Sequence, residues 1–526
     1  MRVPLVLLLG LCLVSSYKIL VYNSRFAHSH SNFMGRVADL LVDAGHNVTS
    51  LIPIMEDTIK DGTKKSAIIH VPTSEIAKDY YDKNMRVSVN FFETRTMDLV
   101  FNLIVGRMLG YTFSEQCKAT LNHPGLLERL KAEHYDVVLY ENFDMCGAGI
   151  AHLIDPKSTI LVSTSVFWGE HYDELGIPVF NSFNPSSFTT KIDVHSPISR
   201  AWNSFAEWLI RNFFGDIRKA IHGVFTETYG SNFPSWVDIT SKVAYAFANA
   251  EPLIDFAHPT LHRVIDIGGI GAEAPKQLDE YWNGILALRQ KTVLLSFGSM
   301  VLSKTMPPPS RAALLKMIAA FPDVTFIWKY EELEDEWAKN EASQLKNLIL
   351  HSWTPQNDLL NDPRLSLFIT HGGMGSTQET AMRGVPGIYI PMMGDQPRNA
   401  AMMEHNGLGK VLCKTELSNA EKLISTVKEV LTNEIYRTNA QRISKMLAKK
   451  PFTSKELLIK HVEFAAEFGP SPSLRPQSVD MSFIAYHNLD IILAALLFLA
   501  VSATIATAIL IYCLRKYFPP NKTKKE

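Results

Sequence analysis

The sequence predicts an α/β fold: two doubly wound, Rossmann-like halves in one chain, followed by a single transmembrane helix near the C-terminus. Three observations carry this. Strand, amphipathic-helix and strand patterns succeed one another at residues 18–22, 32–44 and 48–52, the first unit of a doubly wound sheet. The same alternation restarts at residues 292–297. Residues 491–514 then run without a charge, long enough to span a bilayer with some tilt. At 526 residues the chain has room for two or more domains, each with a full core.

In chain order, Phe33, Val37, Leu40 and Leu41 lie at helical spacing, and Gly45 is placed as the helix C-terminal cap. His30 falls in the loop before that helix, where doubly wound folds present ligand-facing residues. Residues 75–131 read mostly as helix. A buried strand is expected at 136–140, with Glu141 and Asp144 in its exit loop and a helix beginning near Asn142, and another strand at 160–163. The stretch 167–233 is rich in Phe and Trp; most are expected in the core, a minority lining an apolar cavity or dipping toward a membrane. Late strands are placed at 243–249 and 264–267. Those of the second half are placed at 292–297, 324–328, 348–351, 367–369 and 388–390, with helices at 423–431, 435–447 and 454–468.

Net charge is −1 and the pI near 7.0, which gives no electrostatic case for a nucleic-acid partner. Of the five cysteines, Cys12 and Cys513 lie in the apolar ends. Cys117, Cys146 and Cys413 are too few for a disulfide scaffold, and the absence of C-x-x-C argues against structural zinc; one pair is compatible with an oxidising lumen. Residues 1–16 combine Arg2, an apolar run and small residues before Tyr17, the pattern of a secretory signal peptide. Beyond the apolar span come Arg515 and Lys516, then Lys522, Lys524 and Lys525, while Asp480 and Asp490 precede it. That asymmetry predicts type I topology with a lumenal body. Lysines third and fifth from the end resemble the dilysine retrieval signal of endoplasmic reticulum membrane proteins.

One stretch, residues 353–396, is the most informative. Trp353-Thr354-Pro355-Gln356 ends a strand, and a buried strand runs into His371-Gly372-Gly373. A helix pattern then reaches Arg383 and Gly384, and Asp395-Gln396 follows the next strand. A glycine-rich strand-to-helix turn lets backbone approach a diphosphate at the positive end of a helix. An aromatic such as Trp353 suits a base, and Glu379, Asp395 and Gln396 suit sugar hydroxyls. The ordered set resembles the donor-binding signature of UDP-dependent glycosyltransferases, the family that includes UDP-glucuronosyltransferases.

The resemblance covers nearly the whole lumenal body and implies a GT-B arrangement, two such domains facing a cleft. It divides the chain into a signal peptide at 1–16, an acceptor-binding domain at 17–270 and a linker at 271–290. A UDP-sugar-binding domain follows at 291–450, then a helix returning to the first domain at 451–478, the span at 491–514 and a cytoplasmic tail at 515–526. It implies His30 as catalytic base, oriented by a carboxylate. Glu141 stands where vertebrate members usually carry Asp, and Asp144 is the alternative. On the donor side it assigns Trp353 to uracil, Gln356 to uridine and Glu379 to the ribose. His371, with backbone from Gly373 through Gly375 to Ser376, and Ser299 from another loop, would hold the diphosphate. Asp395 and Gln396 would bind the transferred sugar. Gly375-Ser376 departs from the usual HGGxNG.

No Asp-x-Asp pair occurs in the chain, which fits a metal-independent mechanism with the leaving-group charge met by His371 and a helix N-terminus. No cofactor is expected beyond the UDP-sugar co-substrate. The expected partners are a small lipophilic acceptor and the membrane; self-association is left open. The competing reading is a catalytically silent, sugar-nucleotide-binding regulatory protein, which the Glu141 departure keeps open.

Overall fold

In the computed structural model, which describes residues 16–86, 90–95, 98–189 and 192–518, the first half is built on strands β1 (Lys18–Tyr22), β2 (Asn47–Pro53), β3 (Ala67–Val71), β4 (Val137–Glu141), β5 (Ser158–Ser163), β6 (Tyr245–Ala248) and β7 (Val264–Asp266). They are all parallel, in the order β3-β2-β1-β4-β5-β6-β7. The second half is built on β8 (Lys291–Ser296), β9 (Val324–Lys329), β10 (Leu348–His351), β11 (Leu365–Thr370), β12 (Gly387–Tyr389) and β13 (Gly409–Val411), parallel in the order β10-β9-β8-β11-β12-β13. Central strands such as β1, β4 and β8 are apolar on both faces because helices cover both sides of a parallel sheet.

In each sheet the strand order reverses once, between β1 and β4 and between β8 and β11. At such a switch point neighbouring loops leave in opposite directions and open a crevice at the carboxyl ends of the strands. His30 follows β1, Glu141 ends β4, Ser299 follows β8 and His371 follows β11. Topology alone therefore gathers four distant segments into two crevices.

The helix Ser454–Phe468 packs Leu458, Val462, Ala465 and Ala466 into the cluster formed by Val21, Val37, Leu139 and Phe247 of the first half. Thr453 and Glu456 form a reciprocal capping box at its start. A disulfide joins Cys117, on the helix Leu99–Leu121, to Cys146, the first residue of the helix Cys146–Ile154. Its 29-residue separation corresponds to about 3.6 kcal/mol of denatured-state entropy in the loop-closure description. Replacing both cysteines by alanine is expected to lower the denaturant midpoint markedly. An unchanged midpoint in unfolding titrations would show that the bridge adds nothing.

Several sequence expectations are corrected here. The first helix spans His28–Asp43, so His30 lies in its first turn rather than in the preceding loop. Glu141 is the last residue of β4, and the next helix begins at Cys146, not near Asn142. The segment 271–290, placed as the connection between the halves, carries a helix, Glu280–Leu286, whose Trp282 and Leu286 pack with Leu294 and Phe368 of the second half. Strands β3 and β13 and the 33-residue helix Pro197–Tyr229 were not anticipated. Of the aromatics at 167–233, Phe167, Trp168, Phe214 and Phe225 are buried while Trp208 is exposed.

Residues 476–518 form a separate unit. Its helix Leu489–Tyr517, with mean hydropathy 2.5, is long and apolar enough to cross a membrane, and exceeds the expected 491–514 at both ends. Residues 1–15 of the expected signal peptide and the last eight residues of the tail, with the dilysine pattern, lie outside the described residues.

Candidate functional site

The first crevice holds a histidine–carboxylate pair. His30 Nδ1 lies 3.1 Å from Glu141 Oε1, and the imidazole is flanked by Phe26 and Phe143 at ring distances of 4.5 and 5.4 Å. Glu141 is 2% exposed and is held by two further donors, the Phe143 N–H at Oε2 (3.0 Å) and the Thr164 hydroxyl at Oε1 (3.2 Å). A carboxylate fixed in this way accepts the Nδ1 proton and leaves Nε2 with its lone pair outward, the tautomer a base requires. Asp144, the expected alternative partner, is turned to other work. It accepts from the Tyr22 hydroxyl at 2.9 Å and from the Cys146 N–H at 3.1 Å, and burial pushes its carboxyl up to about 6. The extra methylene of glutamate at position 141 thus spans to the ring instead of disabling the pair.

The second crevice is lined by glycine and backbone. His371 packs so closely against Gly298 and Gly373 that a Cβ at either would come within 2.7 and 2.6 Å of its ring. Gly298 also has φ +83°, a conformation glycine adopts without strain. The helix Met374–Arg383 starts at Gly373 with no side-chain cap, so its first N–H groups point into the crevice unclaimed by a cap and carry the positive end of the helix dipole. At Gly375 a Cβ would meet nothing within 4 Å, leaving room for a ligand against the backbone. Gln356 donates to Ser376 Oγ (3.1 Å) and to Glu379 Oε2 (2.7 Å), tying three expected donor residues into one surface. Burial raises the Glu379 carboxyl and Gln356 opposes it. Gln396 accepts through Oε1 from the N–H groups of Met392 (2.8 Å) and Met393 (3.1 Å). Burial raises Asp395, opposed by the Asn399 amide at 2.9 Å. Trp353 is 61% exposed, its indole free to receive a planar ligand.

Burial, reinforced by the Lys329 ammonium, pushes His371 down to about 4. In the empty site the ring is thereby held toward its uncharged, hydrogen-bonding form. A bound diphosphate favours the protonated ring. UDP binding at pH 5–6 is thus expected to take up more protons in the unaltered chain than in H371Q, measured by calorimetry in buffers of different ionisation enthalpy. Equal uptake would remove His371 from the phosphate site.

A buried cation on this wall is Lys329, which the sequence reading missed. It is the last residue of β9, and its Nζ donates to Gly298 O and Glu331 Oε1, both at 2.9 Å, with the Trp353 ring centroid 5.7 Å away. The available signal was position: a lysine at the carboxyl end of a strand beside the switch point. Thr164, after β5, was missed in the same way. A single cavity of 860 Å³ connects both crevices. His30, Ser299, Trp353, Gln356, His371, Glu379, Asp395 and Gln396 all line it, and Phe26, Val105, Phe113, Trp168, Ile210 and Phe214 supply an apolar end.

The chain is matched over residues 17–525 by the family model described as UDP-glucoronosyl and UDP-glucosyl transferase. It is 27% identical over 479 residues to mouse UDP-glucuronosyltransferase 1A9, covering 88% of this chain and 86% of that protein. It is 29% identical over 494 residues to the Caenorhabditis elegans protein ugt-48, covering 93% of each. Among solved structures, the calicheamicin glycosyltransferase CalG4 superposes with TM-score 0.55 at 17% identity, over 87% of this chain and 99% of that one.

Proposed function

Since the chain belongs to the UDP-glucoronosyl and UDP-glucosyl transferase family and is a glycosyltransferase that uses a UDP-sugar, we propose that it transfers a hexuronic acid or hexose to a hydroxyl of small lipophilic acceptors. The observation that carries this reading is the shared cavity. The His30–Glu141 pair stands on one wall, the uncapped helix N-terminus with Glu379 and Asp395 on the other, and an apolar end completes it.

In this reading His30 Nε2 removes the acceptor proton as the oxygen attacks the anomeric carbon from the face opposite the diphosphate. The new C–O bond forms as the bond to the diphosphate breaks, the pair leaves with UDP, and the proton remains on the imidazole, stabilised by Glu141. The configuration inverts. The departing charge is met by Lys329 and the N–H groups at Met374–Ser376, which supports a metal-independent and cofactor-free step. Trp353 stacks on uracil, Glu379 takes the ribose, and Asp395 and Gln396 hold the sugar. Names of relatives favour glucuronate over glucose.

We place the protein in the endoplasmic reticulum membrane, single-pass, with a lumenal body. The apolar helix followed by Arg515 and Lys516 supports the topology, and the Cys117–Cys146 disulfide supports an oxidising compartment. Microsomes carrying the protein, given labelled UDP-glucuronate or UDP-glucose and a panel of phenols, are expected to form acceptor conjugates of inverted configuration. Donor binding without conjugate would favour the silent, regulatory reading.

A further inference from the structure

We infer that Gln378 is a positioning residue that couples occupation of the donor wall to the geometry of the His30–Glu141 pair. The inference rests on the proposed donor site. Gln378 lies on the helix Met374–Arg383, next to Glu379, and is 4% exposed. Its amide is held at both ends by the other half of the molecule: Oε1 accepts from the Gly269 N–H and Nε2 donates to Asn249 O, both at 2.8 Å. Asn249, at the exit of β6, holds the loop after β5 on three points. Its N–H donates to Ser163 O (3.0 Å) and Ser165 O (3.1 Å), and its Nδ2 to Thr164 O (2.9 Å). Thr164 then places its hydroxyl 3.2 Å from Glu141 Oε1 and 3.1 Å from His30 Nδ1.

That hydroxyl decides the tautomer. Donating to Glu141, it leaves His30 Nδ1 to donate as well, and Nε2 stays a base. Donating to Nδ1 instead, it would force the proton onto Nε2 and remove the base. Gln378, Asn249 and Thr164 thus form one buried line, through the backbone carbonyls of Asn249 and Thr164, to the His30–Glu141 pair, and the site tolerates little slack. A Cβ on Gly268 would come within 2.3 Å of Ala250 O and 3.0 Å of Gln378 Nε2. A nucleotide that settles on the helix N-terminus and Glu379 therefore acts on the same rigid helix that anchors Asn249 and, through it, Thr164.

The test uses the full chain in detergent, with UDP as probe. In the unaltered protein, UDP is expected to slow hydrogen exchange both on the donor helix and at residues 163–166. In Q378M it should bind with an affinity within about twofold and protect the donor helix, but no longer protect 163–166. In turnover, Q378M and T164V should each lower kcat about tenfold with KM for the UDP-sugar nearly unchanged, while T164S retains the rate. The double variant should be no worse than either single one, since both break the same line. Gln378→Glu, which keeps the acceptor but sets a second acceptor against Asn249 O, should reproduce the loss if the methionine variant does not fold. Protection at 163–166 that survives in the Gln378 variants, or losses that multiply to about a hundredfold, would overturn the coupling. Failure of UDP to bind the unaltered chain would instead sink the donor-site reading and the inference with it.

Discussion

Replacing His30 by alanine is expected to lower sugar transfer about 10³-fold while UDP affinity changes by no more than about twofold. The imidazole is the group that Glu141 orients, with Nδ1 at 3.1 Å from Oε1, and its ring packs against the mutually stacked Phe26 and Phe143. Alanine removes the base and leaves the donor wall, across the cavity, untouched. Acceptor acidity sharpens the test. An aliphatic alcohol depends wholly on the base, so its rate should fall furthest, whereas an acidic phenol ionises more readily by itself and should lose less. E141Q is the companion variant. Its amide oxygen still accepts from the Phe143 N–H, but the charge that stabilises an imidazolium is gone, so kcat should fall roughly 30-fold. Initial rates at saturating UDP-sugar, with UDP affinity measured by calorimetry, separate these outcomes. Undiminished turnover in H30A, or a parallel loss of UDP affinity, would remove His30 from the base role.

How much of this could be read from the sequence follows from where information is local. The doubly wound halves were legible because buried parallel strands such as Leu367–Ile369 are near-continuous apolar runs closed by glycine. Two of the four edge strands were not: β3 is mostly exposed, and β13 is only three residues, Gly-Lys-Val, too short and polar to carry a run. The helix Pro197–Tyr229 was hidden by its own exposed aromatics. Trp202 and Trp208 face solvent beside a buried stripe at Ala206, Leu209, Ile217, Ile221 and Val224, and aromatic density masked that stripe. The candidate donor residues, Ser299 apart, were legible as one contiguous motif at 353–396. Glu141, by contrast, required a partner 111 residues away, and the sequence, though it put Glu141 first, left Asp144 open as the alternative. In three dimensions Glu141 meets His30 while Asp144 hydrogen-bonds Tyr22. Lys329, Thr164 and Asn249 belong to no motif. Their relevance comes only from the strand order that brings their strand ends together.

Lys329 carries the second large prediction. Its side chain is 7% exposed, and a buried ammonium needs anionic or carbonyl partners. Glu331 and Gly298 O supply these in the free site, and through Gly298 the same ammonium pins the loop that bears Ser299. A diphosphate entering beside His371 brings more negative charge than Glu331 alone provides. Burial and the Lys329 ammonium hold His371 down to about 4 in the empty site, so Lys329 and the helix N-terminus supply positive charge on this wall before a diphosphate arrives. K329M is therefore expected to cost about 2 kcal/mol of UDP binding, roughly 30-fold in Kd. Uridine, which lacks the phosphates but still reaches Trp353 and Glu379, should lose no more than about twofold. K329R should recover most of the affinity, since the charge is restored even though the fork differs from a point ammonium. The same substitution removes a cation that disfavours the charged ring, so the His371 pKa should rise in K329M. Calorimetric titrations of UDP and uridine into the three proteins decide the matter. Equal losses for both ligands would mean that Lys329 shapes the loop rather than meeting the diphosphate.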